Sequence, residues 1–109
     1  MNTSYFSKYK GDNGISIAAK CPFWFKGKEY KKLAPKYWFF KKYKEDGDEE
    51  FYTKQYYKEV LNNLDAKVVY NELGKNSVLL CWEKTGKFCH RRLVAEWLEK
   101  ELGIEIKEL

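Results

Sequence analysis

The sequence predicts an α/β fold: one small domain over residues 1–109, with a mostly parallel sheet of about four strands. Helices pack on that sheet in Rossmann-like or flavodoxin-like layering. Three observations predict this. Val78-Leu79-Leu80-Cys81-Trp82-Glu83 is a nearly continuous apolar run, the pattern of a strand covered on both faces. Two stretches with helical apolar spacing flank it: Tyr52, Tyr56, Tyr57, Val60, Leu61 and Leu64 before, and Leu93, Val94, Trp97, Leu98 and Leu102 after. Short strand-like runs stand near the two ends, at residues 2–6 and 104–106.

In order, residues 2–6 form a first strand, and Gly11-Asp12-Asn13-Gly14 marks a turn. Residues 15–19 read as a second strand, closed by Cys21-Pro22, since proline pushes the residue before it toward an extended conformation. Residues 23–33 show no clean period and read as an ordered loop with anchoring aromatics. Ala34-Pro35 opens a helix that runs to about Lys44 and stops at Asp46-Gly47. Asp48 is suited to cap a helix over residues 49–64, with Glu49 and Glu50 in its first turn. A short helix over 66–73 ends at Gly74. Residues 78–83 form the buried strand and 89–102 a strong helix ended by Gly103. Residues 104–106 close a βαβ unit whose crossover is expected to be right-handed.

Composition narrows the class. Hydrophobic residues make up 44% and aromatics 18% of 109 residues, enough to bury a core without staples and to exclude disorder. No apolar run approaches the length of a membrane span. The first eight residues lack the apolar region of a secretion signal. Three cysteines cannot all pair with one another. Reduced thiols and a cytoplasmic location are therefore the expectation. The net charge of +5 is concentrated: Lys20, Lys26, Lys28, Lys31, Lys32, Lys36, Lys41, Lys42 and Lys44 face only Glu29, and Glu45 to Glu50 then reverse the sign. A lysine-rich stretch with interleaved aromatics is able to follow phosphates and stack bases. Lysine without arginine is also the ordinary make-up of a solvated surface.

Residues 78–92 hold the only histidine, both arginines and two of the three cysteines. In open parallel sheets, ligands bind beyond the carboxyl ends of the strands, here Ser4/Tyr5, Lys20/Cys21 and Cys81 to Glu83. The start of the 89–102 helix stands beside them, with free N–H groups and partial positive charge. Lys87, His90 and Arg91 are placed to hold a phosphate there, and Tyr5 or Trp24 to stack on a base. On the helix, Arg91 falls on the flank of the apolar stripe and Arg92 on the solvent side. Ion pairs of the two arginines with Glu83, Glu96 or Glu99 are the structural alternative. Cys89 at a helix start has the setting of a nucleophile, with His90 or Glu83 as proton partner. Cys81, inside an apolar run, reads as core packing. The Cys-x7-Cys-His spacing is not that of a zinc knuckle or ribbon, so a site made of Cys21, Cys81, Cys89 and His90 is not expected, and neither is any metal or cofactor. A phosphatase-type Cys-x5-Arg loop is excluded, because position 87 is lysine.

Leu79-Leu80-Cys81-x-Glu83-Lys84 followed by Cys89-His90-Arg91 resembles the domain of unknown function 488 family of bacteria, archaea and phages. Thr3-Ser4-Tyr5-Phe6 with Ile15-Ser16-Ile17-Ala18, Tyr30 to Pro35, and Val94-Ala95-Glu96-Trp97-Leu98 extend the resemblance over almost the whole chain. It implies a compact α/β domain with a site at Cys81, Glu83, Cys89, His90 and Arg91, and Thr3 and Ser4 near it. It carries no assigned activity. Proline is usual in the family where Cys21 stands, which speaks further against a four-ligand metal site.

The leading expectation is a cytoplasmic domain, bacterial or phage, that binds and sequesters a small anionic, nucleotide-like ligand. The alternative is an enzyme acting on a nucleotide, nucleoside or nucleic-acid base, with Cys89, Glu83 and His90 as catalytic groups. The second alternative is a nucleic-acid module built on residues 20–44. Neither a membrane nor a particular oligomeric state is indicated. Nucleic-acid binding through the lysine stretch would weaken steeply with salt. Single-strand titrations at 50 and at 200 mM salt, roughly the range over which such contacts lose most of their affinity, check it.

Overall fold

The apolar run becomes β4, Val78–Cys81, the middle strand of a five-stranded sheet in a computed structural model that describes residues 1–109. The others are β1 (Asn2–Tyr5), β2 (Gly14–Ser16), β3 (Lys28–Glu29) and β5 (Lys107–Glu108), in the order β3-β2-β4-β1-β5. Every pairing is parallel. Tyr5 pairs with Cys81, and Ser16 with Leu80. The carboxyl ends of β1, β2 and β4 therefore open on one edge.

The sheet has five strands rather than about four. The extra one, β3, lies in the segment read as loop. Two exposed residues at a sheet edge are too few to show an alternating pattern. The last strand is Lys107–Glu108, not residues 104–106. Ile106 is instead buried, with its amide donating to the Glu99 carboxylate at 2.8 Å. The unit from β4 to β5 also does not join neighbours, because β1 lies between them.

Four α-helices follow their sequence signals closely. α1 spans Tyr37–Asp46, starting just after Pro35 and ending at Gly47 with φ 66°. That left-handed conformation suits glycine. α2 spans Glu49–Glu59, and the Asp48 carboxylate accepts from the Phe51 amide at 3.0 Å. It stops short of Leu64. Val60 leaves helical geometry, and residues 61–63 make a 3-10 turn in which the Asn63 side chain donates to the Glu59 carbonyl. Asparagine competes in this way with the helix ladder. α3 is Ala66–Leu73, capped by Asp65. α4 is His90–Leu102, with Cys89 at the N-cap position and Gly103 beyond its end.

The helices share one core with one face of the sheet. Ile15, Ile17 and Leu79 pack with Phe39, Tyr56, Leu61, Val69, Val94 and Leu98. Val78, Leu80 and Phe6 belong to a second cluster, covered by Tyr9 and Phe25 from the loops. The sequence-predicted α/β domain with strand–helix layering is thus present. No helix is long and apolar enough to cross a membrane. Leu98 is fully buried where α4 meets the larger core. Leu98→Ala is expected to lower stability by about 2–5 kcal/mol, read as a drop in the urea midpoint at unchanged slope.

Candidate functional site

A pocket of about 160 Å³ opens at the carboxyl ends of β2 and β4. Ala18, Ala19 and Lys20 leave β2 along one side, and Cys81, Trp82 and Glu83 leave β4 along another. Phe40, Tyr43 and Lys44 of α1 and Tyr52 of α2 form the facing wall, and Phe88, Cys89 and His90 bring in the start of α4. The walls are mainly aromatic. Phe88 sits 5.2 Å from both the Tyr43 and Tyr52 ring centres. Burial pushes both phenols up, so they stay neutral. The charges are at the mouth, where the Lys44 ammonium meets the Glu83 carboxylate at 3.3 Å. Lys20 is exposed on the rim, and its carbonyl accepts from the Trp82 indole at 2.7 Å.

His90 reaches the pocket from beneath. It is buried, and Nε2 lies 2.7 Å from the Ile17 carbonyl oxygen. A carbonyl only accepts, so Nε2 carries the proton and Nδ1 presents a lone pair. Burial, joined by the nearby Arg91 charge and opposed by the Ile17 bond, lowers the imidazole pKa to about 4. His90 is therefore a neutral ring at pH 7, not the phosphate-holding cation of the sequence reading. Nδ1 points toward Cys89 Sγ, 3.9 Å away.

Cys81 and Cys89 converge as a disulfide, with Cα atoms 7.4 Å apart. The expectation of three reduced thiols is corrected here, while Cys81 packs in the core with Phe6, Val78 and Leu80 as expected. The strand end and the helix start face each other, a relation that linear spacing does not reveal. In this pairing Cys89 has no thiolate to act as nucleophile. Cys21 remains free, and desolvation, followed by the neighbouring Glu29 carboxylate, raises its thiol pKa.

Arg91 is the largest correction. It is 1% exposed and makes four hydrogen bonds inside the protein. Nε and Nη2 donate to the two Glu108 oxygens at 3.0 and 2.7 Å. Nη1 donates to the Glu83 carbonyl at 2.7 Å and to Cys81 Sγ at 3.1 Å. The guanidinium also lies 5.8 Å from the centre of the Tyr5 ring. Four of its five N–H donors are thus engaged, and a group so enclosed ties the helix start to the sheet rather than facing a phosphate at the pocket mouth. Arg92 is not on the solvent side either: it donates to Thr3 Oγ1 at 2.9 Å and to the Ile106 carbonyl. Thr3 in turn donates to Glu108 at 2.5 Å.

The remaining candidates separate. Tyr5 and Trp24 do not line the pocket. Tyr5 is occupied by Arg91, and Trp24 packs on Phe6 with Lys10 over its ring. Ser4 is buried without a partner for its hydroxyl, on the strand but away from the cavity. Lys87 is exposed in the loop between Glu83 and Phe88. In the lysine-rich stretch, Lys31, Lys32, Lys42 and Lys44 are held by Glu29, Glu72, Asp46 and Glu83. Phe40, Tyr43, Tyr52 and Phe88 as pocket residues, and Glu108 as the partner of Arg91, escaped the sequence analysis. Only the density of aromatics around Phe40–Phe51 hinted at the first three, and nothing marked Glu108.

Burial alone would raise the Glu108 pKa. Bonds from Arg91, Thr3 and Thr85 outweigh it and bring it down to about 2. A depressed carboxylate stabilises the fold above its unfolded value, and that contribution is lost as pH falls toward 2. Denaturant titrations from pH 5 to pH 2 should therefore show an acid-labile component that is missing in Glu108→Gln. At pH 7, Arg91→Ala strands Glu108 and should cost about 3–5 kcal/mol.

No curated protein and no solved structure matches this chain. One family model matches residues 23–102, described as the "Active DUF488-N3 subclade". The match takes in the whole pocket wall from α1 to α4, together with the Cys81, Glu83, Cys89, His90 and Arg91 pattern. With well over half of its length matched, the chain belongs to the DUF488-N3a family.

Proposed function

We propose that the pocket binds a small anionic, nucleotide-like ligand, with its ring inside and its phosphate at the mouth. The observation that carries this is the match of lining to size. A cavity of about 150 Å³ takes up benzene, so 160 Å³ between Tyr43, Tyr52, Phe88 and Trp82 suits one planar ring system. It is smaller than the roughly 300–1,000 Å³ that encloses a whole drug-sized ligand. The polar part of the ligand must then stay outside, where Lys20 and Lys44 stand and the amino end of α4 favours negative charge. Lys87 is free to reach the same mouth from its loop. Glu83 is placed to accept from a ring N–H once Lys44 turns to the phosphate. Binding without turnover would make this a sequestering protein.

Catalysis on a nucleotide, nucleoside or base is the second reading. Glu83 and Cys89 line the same pocket as the ring-binding walls, and the matched family model is described as an active subclade. Product analysis on the ligand that binds separates turnover from sequestration.

A thermal-shift panel of nucleosides and nucleotides tests the reading. A ligand at 100 times its Kd adds about 2.7 kcal/mol, a rise in Tm of roughly 10 °C in a domain of this size. Phe88→Ala should remove the shift for nucleosides and nucleotides alike, whereas Lys44→Ala should weaken only the phosphorylated ligands. A flat panel in the wild-type chain sinks the proposal.

A further inference from the structure

Cys81 Sγ, Cys89 Sγ and a ring nitrogen of His90 lie within 4.8 Å of one another, and all three residues are buried. The imidazole is already oriented. With Nε2–H fixed on the Ile17 carbonyl, the Nδ1 lone pair faces the sulfurs. A backbone carbonyl on the far nitrogen is how metal-binding histidines are commonly held. Arg91 donates to Cys81 Sγ at 3.1 Å, which suits a sulfur that carries negative charge. The Cα separation of 7.4 Å exceeds the roughly 4.4–6.8 Å that disulfides span. Two sulfurs at about 2.3 Å from a shared ion stand farther apart than bonded ones, and this wider span suits them.

We propose that the reduced chain binds one thiophilic divalent cation of the zinc class through Cys81 Sγ, Cys89 Sγ and His90 Nδ1, with the fourth position open to the pocket. Two thiolates and an imidazole select zinc-like ions over magnesium or calcium. Three protein ligands and one open position is the pattern of catalytic rather than structural zinc. All three ligands line the cavity, so the open position faces whatever the aromatic walls hold. The linear spacing conceals the site, because one ligand ends a strand and two begin a helix. The disulfide is the competing state. A thiol or phosphine reductant supplies two electrons and two protons to break the S–S bond, and the cation then displaces one proton from each thiol. The inference concerns the pocket of the proposed function but not its ligand, and it is tested without nucleotide.

The reduced protein, freed of reductant without air, is titrated with Co2+. A near-ultraviolet thiolate-to-cobalt band and strong visible bands should appear, saturate at one ion per chain, and vanish on adding Zn2+. Loss of a partner behind a metal ligand costs 10–100-fold in affinity, so Cys89→Ser should weaken binding by roughly 100-fold or more. Serine suits an N-cap, and unchanged circular dichroism should show that this variant still folds. Cys21→Ser should bind as the wild type does, and the oxidised chain should not bind. Absence of the charge-transfer band in reduced wild type, undiminished binding by Cys89→Ser, or loss of binding in Cys21→Ser would each overturn the proposal. A nucleotide shift that persists in a chain unable to take up Co2+ would leave the pocket reading standing and remove the metal.

Discussion

The arrangement of the whole site edge depends on one buried guanidinium. Arg91 sits on the first turn of α4 and bonds to the end of β4 and to β5, while Glu108 passes the tie on to β1 through Thr3. Taking such a charge out of water is costly unless its donors are well met, and here carboxylate, carbonyl and sulfur meet four of the five. That requirement leaves α4 little freedom to rotate or slide. Cys89 and His90, two and one positions ahead of it, are therefore delivered to the cavity in fixed positions. The residue that looked most like a ligand-binding arginine is the one that builds the frame around the pocket.

The frame explains how charge is distributed in the pocket. Positive charge from Arg91 is answered locally by Glu108 and reaches the cavity mainly by helping to keep His90 neutral. Neutral imidazole and neutral phenols line the inside. Net charge returns only at the mouth, with Lys20, Lys44 and Glu83. A ligand that is flat and apolar at one end and anionic at the other matches this gradient from inside to outside.

Much of this was legible in the sequence where local rules decide. β4 announced itself by its apolar run, α4 by its stripe, and α2 by Asp48. The edge that carries the pocket was legible too, because Cys81, Glu83, Cys89 and His90 cluster in the chain and the strand ends locate them. What failed was pairing across distance. Glu108 is an ordinary acid near the end of the chain, with no pattern to assign it to Arg91. Phe40, Tyr43 and Tyr52 belong to helices whose faces look like core, and only the packing of α1 and α2 against the sheet end turns three of their rings into a wall. The facing of Cys81 and Cys89 likewise depends on how the loop between them closes, which spacing does not encode.

The strand order carries a consequence for how the molecule forms. β1 has β4 and β5 as its only neighbours, and both come from the second half of the chain. β2 reaches the rest of the sheet only through β4. The amino-terminal strand therefore has no partner until residues 78–81, more than seventy positions along the chain, slot between it and β2. Pairings so distant in sequence slow folding, since loop-closure entropy is lost before any contact repays it. Without β4, Phe6 and Phe25 have no Val78 and Leu80 to pack on, and the amino-terminal segment is then an aromatic surface open to association.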